Sequence, residues 1–204
     1  MTPTRTFDDA GQAFPIYITV VAGLLFLAFA YLAVGQAAAN RNGAETAADA
    51  AALAAAQNRR DQLADKWKLV VRDPTKWQEI FDGNVDVDDS CWRAYQLADH
   101  NDATVNDCEL DGLLSFTVSL KTSKPVGNSV VPGTENMHST ATATAVIEPL
   151  CWPPTGGETG DDTPPQLKCK DNKAWDVDPD DPTGLPKPQD LFDVHLADSQ
   201  ANDE

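Results

Sequence analysis

Few side chains in this sequence have the type and spacing that chemistry requires. Two acidic runs alternate oxygen-bearing residues as calcium loops do; they comprise Asp82, Asn84, Asp86 and Asp88 in the first run and Asp176, Asp178 and Asp180 in the second. Both runs lack the glycine at the sixth position and the glutamate at the twelfth that complete an EF-hand loop. We therefore interpret both runs as solvated acidic loops.

The sequence also lacks the common catalytic and cofactor motifs. Its histidines, His100, His138 and His195, are far apart and do not form a paired metal-binding motif. It contains no nucleophile elbow, phosphate-binding loop or dinucleotide fingerprint. These patterns predict a protein with no catalytic residues, no cofactor and no metal.

Cysteines are the residues with the clearest chemical role. The four are Cys91, Cys108, Cys151 and Cys169. An even number in a small domain predicts two disulfides, which persist in an oxidising compartment. A zinc site would need close pairs such as C-x-x-C, which are absent. Short loops favour bonds between the first two and between the last two cysteines, but the sequence leaves all three connectivities open.

An apolar segment near the N-terminus precedes the part of the chain that contains the cysteines. Residues 13–35 carry no charge, and about 20 apolar residues suffice for a helix to cross a bilayer. Tyr17 and Tyr31 lie near its two ends, where aromatic side chains favour the headgroup layer. A cleavable signal peptide is the alternative, but its apolar core is shorter and follows a positively charged region. We expect a permanent transmembrane helix with the lipid bilayer as its partner.

Charge and cysteines together suggest an orientation. The formal net charge is −17, with 15 basic and 32 acidic residues, which argues against a nucleic-acid partner. The basic residues flanking the apolar segment give no clear orientation. Because all the cysteines follow that segment, we expect residues 1–12 in the cytoplasm and residues 36–204 outside the cell membrane.

An alanine-rich stretch, residues 36–67, follows and predicts that the transmembrane helix continues as a stalk. Its residues Ala44, Ala48, Ala51 and Ala55 share one helix face. Such a shallow face allows close helix packing, so it favours lateral assembly with other proteins; a solvated spacer is the alternative.

Residues 68–151 predict a small α+β domain, and residues 152–204 an acidic, proline-rich segment. Short helices are expected near residues 76–81 and 91–97, and neighbouring strands at residues 113–122 and 140–148. The alternation of threonine and alanine in the second strand predicts that one face of the strand is exposed to solvent and the other packs on a helix. Residues 166–178 suggest a hairpin, and residues 190–196 have enough apolar side chains to dock.

The N-terminal residues also resemble a known family. The single apolar segment followed by AETAADAAALAAA is similar to the N-terminal region of TadE/TadG-like proteins of tight-adherence (Flp, type IVb) pilus assembly, particularly the actinobacterial type. The resemblance covers about a quarter of the chain. It implies a non-enzymatic, single-pass envelope protein whose partners are other single-span pilus-assembly or pilin-like proteins, with a homo-oligomer also possible.

The sequence departs from the pattern of this family at the site where pilin-like proteins are cleaved. Pilin-like proteins of this kind are cleaved after a glycine and carry a glutamate at the fifth position of the mature helix. Here Gly11 precedes Gln12, but the fifth residue after Gly11 is Ile16. We therefore favour an uncleaved anchor, with cleavage between Gly11 and Gln12 as the alternative.

Three functions remain open at this point. The first is assembly of a pilus-like envelope machine, supported by the apolar segment, the stalk and the resemblance. The second is a membrane-anchored binding module whose acidic part captures a basic partner or a cell-envelope component. The third, an anchored enzyme, has the least support in the sequence.

Overall fold

The long helix α1 dominates the molecule. The computed structural model describes residues 13–125, 136–153, 166–181 and 184–197. Helix α1 (Ala13–Leu69) is continuous through Gly43, and its length is about 85 Å at 1.5 Å per residue. Alanine has the highest helix propensity, so the alanine-rich stretch extends the apolar segment without a break. The helix ends in turns before Pro74.

Two antiparallel sheets follow α1. The main sheet has the order β1-β2-β3-β7, and a smaller one has the order β4-β5-β6. The strands are β1 (Ala103–Leu110), β2 (Ser115–Thr122), β3 (Thr140–Pro149), β4 (Cys151–Trp152), β5 (Gln166–Cys169), β6 (Ala174–Asp176) and β7 (Phe192–Leu196). The predicted strands β2 and β3 are indeed neighbours, with Thr117 opposite Thr144. The fold class is α+β, as expected.

Short helices pack against α1. They are α2 (Trp77–Phe81), α3 (Cys91–His100) and α4 (Pro188–Leu191). The core lies between α1 and the sheet, where alternate residues Phe116, Val118 and Leu120 of β2 are buried. Aromatic rings fill the core near the C-terminal end of α1, where the ring centroids of Trp67 and Trp77 are 5.4 Å apart. The helix and the sheet thus form two layers around one core.

The alanine face packs differently from the prediction. Ala44, Ala48, Ala51 and Ala55 are completely buried inside the chain, in the core that α1 forms with β2 and β3. Their methyl groups allow a close approach, as predicted, but the surface that approaches is the protein's own sheet. The residues that the sequence assigned to packing between proteins therefore form an internal helix–sheet interface, and the stretch predicted to be a stalk supplies one layer of the domain.

Two disulfides fasten the domain. Cys91 at the start of α3 bonds to Cys108 in β1, and Cys151 in β4 bonds to Cys169 in β5. This is the pairing that closes the two short loops. Each bond joins separate elements, because a helix is tied to a strand in the first case and two strands of the small sheet are joined in the second.

Part of the acidic C-terminal segment is folded onto the domain. Strand β7 pairs with β3, with Val194 opposite Ile147, and Leu191 and Phe192 are completely buried. In the small sheet, Asp171 and Asn172 between β5 and β6 have positive φ, a conformation that Asp and Asn tolerate better than most residues. The main sheet thus draws its last strand from a segment rich in acids and prolines.

Candidate functional site

Helix α1 has two halves with opposite exposure. In its first half the large apolar side chains point outward: Leu24 and Phe26 are 62% and 71% exposed. Among the described residues, α1 is the one helix that is long and apolar enough to cross a membrane, and its most apolar window has no side chain buried inside the protein. From Ala44 onward, one face is buried in the core. The apolar segment is thus the largest uncovered apolar surface of the described structure.

The junction between the halves is held by polar contacts. Asn40 accepts a hydrogen bond from the hydroxyl of Thr122 at the end of β2, at 3.4 Å, and its amide lies 3.4 Å from the carbonyl of Lys124. Arg41 pairs with Glu45 on the exposed side of α1. The domain therefore begins to contact α1 within a few residues of the apolar segment.

A buried arginine fastens the other end of the contact. Arg59 is 7% exposed; its Nε donates to the carbonyl of Leu113 at 2.8 Å, and its Nη2 donates to the carbonyl of Gly83 at 3.1 Å. Desolvation by burial lowers the pKa of Arg59 from its ordinary value, although arginine remains charged at neutral pH. The role of Arg59 was not predicted from the sequence; the one signal there is the position of an arginine in an alanine-rich helix whose neighbouring residues are buried.

The acidic runs do not converge on a common point. In the second run, Asp176 accepts from Gln166, Asp178 accepts from the backbone of Asp180, and Asp180 pairs with Arg72. In the first run, Asp82 accepts from Gln78. These four carboxylates serve as local hydrogen-bond acceptors, and the interpretation of both runs as solvated acidic loops stays a prediction.

One mixed cluster was not foreseen. The ligand atoms of Glu148, Asp193 and His195, brought together by the pairing of β3 with β7, lie within 4.8 Å of one another. All three side chains are exposed, Glu148 pairs with Lys170, and Asp193 accepts from His195. Because each carboxylate already has a neighbouring partner, Lys170 for Glu148 and His195 for Asp193, we assign the cluster to polar pairing at the surface.

The remaining histidines are separate from this cluster. His138 Nδ1 lies 2.6 Å from the carbonyl of Thr122, so it supports the end of β2. His100 is in the last turn of α3. Gly11 and Gln12, the predicted processing site, lie outside the described residues.

Comparison with known proteins bears on most of α1. The family model described as "Putative Flp pilus-assembly TadE/G-like" matches residues 11–58. No match to the chain was found among curated proteins or among solved structures. The match covers the apolar segment and the alanine face, the same residues that carried the resemblance, while the actinobacterial type stays a prediction. Residues 11–58 of this chain are therefore similar to the TadE/G-like segment of Flp pilus-assembly proteins.

Proposed function

We propose that this protein is a non-enzymatic, single-pass membrane component of Flp/Tad pilus assembly, which assembles with other single-span proteins through residues 13–35 of α1. The observation that carries the proposal is the match at residues 11–58 to a pilus-assembly family, on a helix whose first half is apolar and uncovered. The alanine face is occupied by the protein's own sheet, so the apolar segment is the part of the matched region that offers a surface to a partner.

The proposed orientation places residues 1–12 in the cytoplasm and the sheet domain outside. Two disulfides support it, because they persist in an oxidising compartment. Alkylation of thiols in whole cells, before and after reduction, tests this orientation. Four cysteines that react only after reduction support the proposal, whereas cysteines that react without reduction would place the domain in the cytoplasm.

Photo-crosslinking within the membrane tests assembly. A photoreactive amino acid is placed in turn at Leu24, Leu25, Phe26 and Leu27; successive positions are about 100° apart on a helix and sample its whole circumference. Exposed Tyr95 in the domain serves as the control position. We expect at least one of the four to yield adducts with single-span proteins, or with a second copy of this chain, that the control position lacks.

The opposite result favours the binding-module function. If all four helix positions crosslink to lipid alone while the domain position captures a protein, the assembly proposal fails. The chain would then be an anchor for a domain that binds an envelope component.

A further inference from the structure

Strand β2 runs beside α1 and is fastened to it at both ends. Thr122 contacts Asn40, and the carbonyl of Leu113, just before the strand, accepts from Arg59. The rise of α1 from Asn40 to Arg59 is about 29 Å at 1.5 Å per residue. The chain from Leu113 to Thr122 spans about 30 Å at 3.3 Å per residue. These lengths agree, so β2 lies alongside α1 in the opposite direction and its last residue is level with Asn40.

This geometry fixes the height of the domain above a bilayer. Asn40 comes five residues after Gly35, the end of the apolar segment, which is a rise of about 8 Å. The headgroup layer on each side of the hydrocarbon core is about 5–8 Å thick. If the apolar segment spans the bilayer, as proposed above, the end of β2 and the start of β3 lie at the headgroups. We define the membrane-proximal end as residues 37–41, 121–125 and 136–139.

The charge of this end differs from that of the whole chain. Lys121, Lys124 and Arg41 lie there, accompanied by the carboxylates of Asp102 and Glu45 that pair with the latter two. Lys121 has no ion pair with a described residue. Among the described residues of this end and their ion-pair partners, these three basic groups stand against two acidic ones, whereas the chain as a whole has a formal charge of −17. Met137, also at this end, is 57% exposed.

We propose that the membrane-proximal end is a lipid-contact surface for anionic phospholipid headgroups. Basic side chains near an anionic leaflet are attracted to it within a Debye length, whereas the acidic remainder of the domain is repelled. The cations at this end and the uninterrupted helix therefore hold the domain upright on the leaflet. The inference rests on the proposed membrane anchoring and adds a second, electrostatic contact to it.

Fluorescence quenching on the full chain tests this contact. The chain is reconstituted in nanodiscs that contain about one-third phosphatidylglycerol and a lipid with a quencher on its headgroup. A fluorescent amino acid replaces either Met137 or Leu69; Leu69 is 80% exposed and lies about 50 Å beyond Gly35 along the helix. We expect at least twofold quenching at position 137 and none at position 69. Equal quenching at the two positions overturns the proposal.

Flotation with lipid vesicles separates this inference from the proposed function. A chain that floats with lipid but is not quenched at position 137 contradicts the lipid contact alone. A chain that does not float contradicts the membrane anchor, and with it both proposals.

A pair of double variants tests the role of charge. K121Q/K124Q removes two cations at the membrane-proximal end, while K66Q/K68Q removes two near the opposite end of α1. The sets are matched, because Lys124 and Lys68 each have an acidic partner. We expect the first variant to reduce the quenching at position 137 at least twofold in anionic nanodiscs, and the second to leave it unchanged. Equal quenching in both variants overturns the electrostatic contact.

Discussion

The Nε atom of Arg59 lies 2.8 Å from the carbonyl oxygen of Leu113, and this bond joins the C-terminal part of α1 to the turn before β2. A second bond reaches the carbonyl of Gly83 in the turn after α2. One side chain thus fastens two loops to the helix. Both carbonyls would lose their partner if the guanidinium were removed.

Replacing Arg59 with methionine should destabilise the protein. Unpaired buried polar groups cost about 1–3 kcal/mol each, so we expect R59M, which leaves two carbonyls without their donor, to lower the free energy of unfolding by about 2–6 kcal/mol. The measurement is denaturant unfolding of the full chain in detergent, followed by tryptophan fluorescence. Arg60 is the matched control, because it pairs with adjacent Asp61. An equal loss in R60M would contradict the specific role of Arg59.

Local patterns were enough to predict several elements. Alanine and the apolar run predicted α1, and the alternation of β-branched and aromatic residues predicted β2 and β3 as neighbours. Strand β1 was not predicted, because its sequence ATVNDCEL includes residues that are depleted in strands. Its pairing with β2 also shifts register between Val105 and Asp107. Its position depends on β2 and on a disulfide, which are non-local constraints.

The partner of the alanine face could not be predicted from the sequence. A row of methyl groups packs equally well against a helix of another protein or against a sheet of the same chain, so the pattern indicates close packing without naming the surface. Here the pairing of β2 with β3, far along the chain, supplies that surface. Strand β7 likewise comes from a segment whose composition resembles a solvated tail, and Phe192 is buried where β7 pairs with β3 and its ring packs on Phe81.

Enlarging the alanine face tests its internal packing. A51L inserts three carbon atoms into a completely buried position, and overpacking costs about 1–3 kcal/mol. T46L changes an exposed position of the same helix and should be nearly neutral. Thermal unfolding of the full chain in detergent measures both. If A51L is as stable as the parent, the face is not packed on the sheet as described.

Alanine substitutions at two glycines with the same φ angle distinguish backbone strain from steric crowding of an added Cβ atom. Gly83 and Gly112 both have φ of +71°, but a Cβ at Gly83 would lie 2.7 Å from Leu114 Cδ2 and 3.0 Å from the carbonyl oxygen of Leu113, whereas Gly112 has open space. We expect G112A to cost about 1–2 kcal/mol from the positive φ alone, and G83A to cost about 1–3 kcal/mol more. Urea unfolding compares them. Equal losses would show that the turn at Gly83 is not packed against the turn before β2.

Each disulfide should protect a different region. Closing a loop of this length is worth about 3 kcal/mol, so C91A/C108A and C151A/C169A should lower stability by similar amounts. Amide exchange of the full chain should differ between them: losing Cys151–Cys169 should expose β5 and β6 first, because that bond is within the small sheet. Faster exchange in β1 instead would contradict this division.

The pH dependence of stability should carry a contribution from Asp49. Burial, and then the neighbouring Glu45 carboxylate, raise the pKa of Asp49 above its ordinary value of 3.8. A carboxyl group with a raised pKa binds its proton more tightly in the folded state, so stability falls as pH rises from 3.8 through the folded-state pKa, and the loss is complete above that pKa.

D49N should remove this loss. We expect it to stabilise the protein at pH 7 by less than about 1 kcal/mol, since the group is partly exposed, and to have no effect at pH 3, where Asp49 is protonated in both states. E45Q serves as the second variant and should recover the smaller part that arises from Glu45. Urea unfolding of the full chain in detergent at both pH values measures these differences. A D49N protein that is no more stable than the parent at pH 7 would mean that ionised Asp49 is well solvated, and hence that the start of the helix–sheet contact is looser than its burial implies.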